Sequence, residues 1–385
     1  MAERPPLAGR RVVEVLATSA GGVGTHVRAL LPVVREAGAD VGVCGAPATE
    51  ELFGFTATGA DFTPVGISNG LAPVADARAV LALRRALAGA DLVHAHGLRA
   101  GLVAATALRV PGRPRPPLVL TLHNALQEGG GRLRGVMRAL ERVTVRGADL
   151  VLAVSSDLAA NARSAGARDV RVFPALAPPL PPAERDRAEV RADLGVPDGR
   201  PLVVAVGRLH PQKGYDVLLD AVGRWAGRPS APLFAVAGDG PLHDELAARI
   251  AAERLPVVLL GRRSDVADLL GAADVCVLPS RWEGSPFTAQ EALRAGTPLV
   301  STRAGGIPDL VGEGAELVPV GDAGALAEAL ERVLTDPAHA AALAEAGRRQ
   351  AERWPDEEGA GRRVVAVYRE LLGAPGAVPQ EAAPR

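Results

Sequence analysis

Short apolar runs alternate with longer amphipathic segments along most of the chain. In the first half, RVVEVLAT (11–18), DVGVCGA (40–46), DLVHAH (91–96), LVLTLH (118–123), DLVLAVS (149–155) and DVRVFPA (169–175) predict strands. Segments with helical periodicity fall between them, at 23–37, 76–88, 99–109 and 132–146. Several strand candidates are apolar at every position rather than alternating. A strand covered by helices on both faces has that pattern, so the order predicts a doubly wound parallel sheet.

The proline-rich stretch PALAPPLPPAERDR (174–187) reads as a semi-rigid linker. Beyond it the alternation starts again, with PLVVAVGRL (201–209), PLFAVAGDG (232–240), PVVLLGR (256–262), ADVCVLPS (273–280), TPLVST (297–302) and AELVPV (315–320). The expected organisation is an α/β chain of two Rossmann-like domains, 1–177 and 178–354, then a last helix over 355–373 and a disordered tail, 374–385. Ligands of open parallel sheets bind outside the carboxyl ends of the strands. Two such sheets joined by a short linker can face each other across a cleft.

Composition narrows the picture. The 385 residues are 48% hydrophobic but only 3% aromatic, so the core must be aliphatic. No apolar run is long and uninterrupted enough to span a bilayer, and MAERPPLAGRR lacks the apolar stretch of a secretory signal. Cys44 and Cys276 each lie in an apolar run and are read as buried free thiols, in keeping with a cytoplasmic setting. Net charge is −1, yet residues 1–180 carry a net +6 and residues 181–385 a net −7. The positive excess concentrates in 99–146, with nine arginines against Glu128 and Glu141. Such a segment suits an anionic partner, including peripheral contact with a membrane, or equally a solvated face whose arginine stems cover apolar surface. Nucleic acid is not among the partners expected.

Candidate chemistry gathers at the strand ends. TSAGGVGTHV (18–27) opens a helix, and Gly21, Gly22 and Gly24 would let backbone amides approach an anion there; a tight strand-to-helix turn would use the same glycines. The spacing is not that of a dinucleotide fingerprint. Four of the seven histidines, His26, His94, His96 and His123, lie in the first half near strand ends. His94 and His96 share a strand face, but no carboxylate or cysteine joins them locally, so no metal site is expected. His123, followed by Asn124, is either a structural histidine or one that points into the cleft.

In the second half, Gly207 and Arg208 follow the first strand, and Lys213 begins the next helix. Lys213 is the only lysine among 43 basic residues. Two cations at a strand end suit a diphosphate, and a narrow site would admit a compact ammonium where a planar guanidinium is too wide. That reading requires Arg208 and Lys213 to be free of permanent acidic neighbours. Gly238 lies in the turn AGDGP. In EGSPFTAQE (283–291), Thr288 and Glu291 have the spacing of a capping box. The box leaves Glu283 unexplained, and also Gly284, Ser285, Pro286 and Phe287, whose amides before a helix start would favour an anion.

These motifs, from GGVGTH, VHAH, TLH and AVSS to GRLHPQKG, AGDGP, EGSPFTAQE and AGTPLVSTRAGGIPDLV, resemble those of retaining glycosyltransferases of the family-four type, which have the two-domain GT-B fold. The resemblance implies a UDP- or GDP-linked sugar as donor, a hydroxyl acceptor and no catalytic metal or other cofactor. It implies that Arg208 and Lys213 hold the diphosphate, approached by the Gly22–Gly24 turn, with Gly207 and Gly238 beside them. Glu291 would bind the ribose. Glu283 and residues 284–288 would hold sugar and phosphates, and His123 would lie beside the transferred bond. His26, His96 and Asn124 would fall on the acceptor side, and the last helix would cross back onto the first domain. EGSPF replaces the family's frequent aromatic-glycine pair with Ser285 and Pro286, a departure that bears on sugar specificity. A nucleotide-sugar epimerase, a sugar phosphorylase or a non-catalytic nucleotide-sugar-binding protein are the alternatives on this scaffold.

Overall fold

The apolar runs form the strands expected of them, and the chain builds two all-parallel sheets. The computed structural model describes residues 4–373 apart from 20, 69, 71, 111, 113, 126–131 and 229. The tail expected over 374–385 and Glu128 lie outside the described residues. One unit comprises the chain up to Leu176 together with Pro355 onward, and a second comprises Ala177–Trp354.

In the first unit the strands are β1 Arg11–Leu16, β2 Asp40–Gly45, β3 Asp61–Pro64, β4 Leu92–His96, β5 Leu118–Leu122, β6 Leu150–Ala153 and β7 Val170–Val172. Their order is β3-β2-β1-β4-β5-β6-β7. β3, with the sequence DFTP, was not among the expected strands: it is short, only partly buried and at the sheet edge, so it carries no continuous apolar run. β1 and β4 are adjacent, with Glu14 paired to His94 and Leu16 to His96.

Helix Gly22–Glu36 buries Val27, Leu30, Leu31 and Val34, one stripe of helical spacing. Helix Glu357–Leu371 adds Val364, Val365 and Tyr368 to the same cluster. The two helices approach closely: a Cβ on Gly361 would lie 2.7 Å from the Val33 side chain. Each fully buried valine or leucine of this seam contributes roughly 1.5–3 kcal/mol. The last helix is therefore an integral layer of the first unit.

The second unit has β8 Leu202–Val206, β9 Leu233–Ala237, β10 Val257–Gly261, β11 Val275–Leu278, β12 Leu299–Thr302 and β13 Glu316–Val318, in the order β10-β9-β8-β11-β12-β13. The proline-rich stretch enters this unit held rather than free. The Ala177 amide donates to Gln290 Oε1 (2.9 Å), and the Glu184 amide to Asp268 Oδ1 (2.8 Å). Its end starts helix Arg187–Asp193 through a capping box between Asp186 and Glu189. Cys44 and Cys276 are both free and buried, as expected.

Candidate active site

Each sheet reverses its strand order once, between β1 and β4 in the first unit and between β8 and β11 in the second. At such a switch point the loops leaving the two strands diverge and open a crevice. Most of the residues singled out in the sequence fall at these two places or at the end of a neighbouring strand.

In the second unit, β8 runs into Gly207 and Arg208. Arg208 is exposed and has no acidic partner among the described residues. Lys213 does not begin the next helix, contrary to expectation. It ends a short 3-10 turn, Pro211–Lys213, and helix Tyr215–Val222 starts only after Gly214. Gly214 has φ of +68°, and a Cβ there would lie 2.1 Å from the Pro279 carbonyl oxygen. Only glycine allows that approach, and it brings Lys213 beside the end of β11.

Lys213 Nζ donates to Glu283 Oε1 at 2.5 Å. The requirement that both cations be free of acidic neighbours therefore fails for Lys213 and holds for Arg208. The same Glu283 oxygen accepts from Ser280 Oγ (2.6 Å), and the Glu283 carbonyl accepts from the Gly306 amide (2.9 Å). Gly305, at φ +54°, leaves no room for a Cβ against the Glu283 carbonyl oxygen, 2.0 Å away. Glu283 is thus buried and fixed at one carboxylate oxygen, and its Oε2 has no partner among the described residues. The lysine stem runs past Gly207, whose carbonyl accepts from Tyr215 OH (3.0 Å).

Helix Phe287–Ala295 follows Gly284, Ser285 and Pro286. Its N-cap is Pro286 and no side chain caps it, so the Thr288–Glu291 capping box does not form. The helix begins two residues earlier than that box requires. Thr288 instead donates its hydroxyl to the Val206 carbonyl (3.2 Å), joining the helix start to the end of β8. The free amides of the first turn remain an electropositive end. Glu291 is pushed up to about 7 by burial, with Arg294 pulling the other way. Gln290, which the sequence reading passed over, is fully buried and bonds both the Ala177 amide and Ser285 Oγ (3.2 Å). Gly238 follows β9, its amide bonded to the Gly261 carbonyl.

In the first unit, helix Gly22–Glu36 is capped by Gly21, and Gly22 is exposed at its first position. Gly24 is buried, and a Cβ there would meet the Phe53 ring at 2.2 Å. Its size is set by packing against that ring. His26, His94, His96 and His123 are all buried, while Asn124 is exposed. No carboxylate lies beside His94 and His96 in sequence, but the fold brings one: Glu14, wholly buried on β1, is bonded to His96 Nε2 (2.8 Å). The signal was present as a single acidic residue inside an apolar strand. Tyr368 of the last helix donates to Glu14 Oε1 (2.8 Å) and contacts His94 Nδ1 (2.6 Å).

His94 Nε2 meets Thr121 Oγ1 at 2.7 Å, and His96 Nδ1 meets His123 Nε2 at 3.2 Å. Burial lowers His26 to about 3 and holds His94 and His123 well below the usual imidazole range, each helped by its neighbouring histidines. Burial also raises Tyr368 well above the ordinary phenol value, with Glu14 adding to it. Among the described residues, His26–His96–His123 and Glu14–His94–His96 are close enough to share a cation, with ligand atoms within 4.8 Å of one another. In the second group every one of these atoms is already hydrogen-bonded.

Part of the basic excess lies elsewhere. Arg109, Arg115, Arg146 and Arg168 line a hollow of about 180 Å³ near the amino ends of β5, β6 and β7. Arg115 is paired there with Asp149. Among the described residues, no helix is long and apolar enough to cross a membrane.

Comparison with known proteins shows the family of the chain. The family model described as Glycosyltransferase Family 4 matches residues 20–175, and that of Glycosyl transferases group 1 matches residues 186–350. The alpha-maltose-1-phosphate synthase of Mycobacterium tuberculosis is 32% identical over 371 residues, covering 86% of this chain and 90% of that protein. The chain belongs to glycosyltransferase family 4. A second relative, 2-deoxystreptamine N-acetyl-D-glucosaminyltransferase of Streptomyces fradiae, is 35% identical over 269 residues. That match spans 64% of this chain and 63% of the relative, less than two thirds of its length. Anabaena HepE, solved in complex with UDP-glucose, superposes with a TM-score of 0.79 at 23% identity, over 94% of this chain and 99% of that one. At that identity the likeness speaks for the GT-B fold alone.

Proposed function

We propose that this family 4 protein transfers a sugar from a nucleoside-diphosphate sugar, UDP- or GDP-linked, to a hydroxyl acceptor with retention at the anomeric carbon. The observation that carries the reading is Arg208. It is an exposed guanidinium with no acidic partner among the described residues, at the switch point of the second sheet, two residues past the strand end that is bonded to the start of helix Phe287–Ala295. A charge left open beside an uncapped helix start suits a departing diphosphate. The complex of HepE with UDP-glucose supports the donor class.

The other residues take complementary roles. Lys213 holds Glu283 and keeps two of its three N–H groups for a phosphate oxygen. Glu283 offers Oε2 to a hydroxyl of the donor sugar. Glu291, once ionised, accepts from the ribose hydroxyls, and His123 serves the transferred sugar. The acceptor oxygen attacks the anomeric carbon on the face the diphosphate leaves, and a leaving phosphate oxygen takes the acceptor proton. The bond to the nucleotide breaks as the new glycosidic bond forms. Relatives are named for different acceptors and products, so no acceptor is assigned.

The test is a panel of UDP- and GDP-sugars with sugar, aminocyclitol and glycosyl-phosphate acceptors. Nucleoside diphosphate release and the anomer of the product are followed by NMR. Release with an α-donor yielding an α-product is expected. An inverted product, or release of no nucleoside diphosphate across the panel, overturns the reading.

A further inference from the structure

The buried polar chain of the first unit has a direction. Tyr368 gives its proton to Glu14 Oε1, so its oxygen can only accept from His94 Nδ1. A neutral His94 has one N–H, so its Nε2 accepts from the Thr121 hydroxyl. On the other side Glu14 Oε2 accepts from His96 Nε2–H. If His96 is also uncharged, its Nδ1 carries a lone pair, and the 3.2 Å contact to His123 must be donated by His123 Nε2–H. The remaining nitrogen of His123, Nδ1, is then an acceptor.

We propose that Glu14, clamped by Tyr368 of the last helix, acts through His96 to hold His123 as the Nε2–H tautomer, presenting Nδ1 as a hydrogen-bond acceptor at the carboxyl end of β5. Glu14, His96 and Tyr368 are positioning residues. An imidazole whose second nitrogen is bonded to an oriented partner has its tautomer and ring angle set by that bond. The alternative, a charged His96 donating from both nitrogens, would reverse the tautomer of His123. It would make His96 and Glu14 an ion pair, at the cost of an imidazolium buried among three other imidazoles, with ring centroids of 4.1 Å to His94, 5.5 Å to His123 and 5.9 Å to His26. The chain gives the last helix a chemical task in addition to packing. Its consequence for turnover rests on the sugar transfer proposed above, whereas the tautomer does not.

Long-range ¹H–¹⁵N spectra of the full chain labelled in histidine read both nitrogens of each ring directly, with His123→Asn supplying the assignment. The expected result is a neutral His96 and a His123 protonated at Nε2. A His123 protonated at Nδ1, or a charged His96, overturns the proposal from the wild-type spectrum alone, whatever the fate of any variant. In Glu14→Gln, whose amide can bond His96 in either sense, His123 should become a mixture of tautomers. Turnover should fall about tenfold at unchanged donor KM, and Tyr368→Phe should do the same to a smaller degree. An unchanged His123 tautomer in Glu14→Gln counts against the proposal. A mixed tautomer with undiminished turnover would leave the hydrogen-bonded chain standing and remove the catalytic role given to His123.

Discussion

On β1, beside β4, Glu14 is wholly buried and both of its oxygens are bonded; just past the carboxyl end of β8, Arg208 is exposed and has no acidic partner among the described residues. Both are charged residues at the switch point of a parallel sheet, yet their surroundings are opposite. A buried charge must be met by its own protein, because an unsatisfied one costs several kcal/mol. A cation meant for a ligand is better left unmet, because an internal partner would compete with that ligand. The second unit shows both solutions side by side: Arg208 stays open, while Lys213 is engaged by Glu283. The contrast separates groups whose loss damages the fold from groups whose loss damages only the reaction.

The largest effect should come from the open cation. Arg208→Ala is expected to lower kcat/KM about 10²- to 10³-fold, the range for removing one preorganised donor to developing negative charge. As an exposed residue outside any ion pair, it should change unfolding stability by no more than about 0.5 kcal/mol. Parallel measurement of nucleotide release and thermal unfolding decides the matter. A variant that loses stability in step with activity would erase the distinction between the two switch points.

Lys213→Arg is the sharper and smaller experiment. The ammonium reaches Glu283 at 2.5 Å from a stem that runs past Gly207, and a guanidinium is longer and needs a planar opening. Glu283 would be pushed off its bond with Ser280, so activity should fall about tenfold to a hundredfold in a folded protein. Turnover close to wild type would mean that position 213 needs only a positive charge.

How much of this was legible beforehand follows from where each partner lies. Arg208, Lys213 and Glu283 occupy strand-end motifs, and their residue types already indicated anion and hydroxyl chemistry. The pairing of Lys213 with Glu283 was not visible, because it depends on Gly214 folding one loop against the end of another strand. Glu14 and Tyr368 lie 354 residues apart, and no local pattern announces such a bond. The strands were legible because burial on both faces demands continuous apolar runs, and β3 escaped because an edge strand has no such demand. The Thr288–Glu291 box matched a real motif in spacing, but Phe287 had already entered the helix.

That last misreading changes what Glu291 should do, and it supplies the smallest of the expected effects. A capping glutamate would make Glu291→Gln mildly destabilising. The structure gives instead a glutamate whose proton is held up to about 7 by burial. The folded chain keeps that proton from the ordinary carboxylate range, roughly 4.3, up to 7, while the unfolded chain releases it. Stability therefore falls as pH rises through this window, and the cost is fully present above it. Glutamine carries no such charge, so at pH 8 the variant should be more stable by about 1–2 kcal/mol, with the advantage gone below pH 4. Donor binding should move the other way. Losing an ionised acceptor for ribose hydroxyls should weaken it about tenfold at pH 8 and progressively less as pH drops below 7. Calorimetric unfolding and donor titration across pH 5–8 test both halves. A variant that is less stable at pH 8 restores the capping role, and one that binds donor normally removes Glu291 from the site.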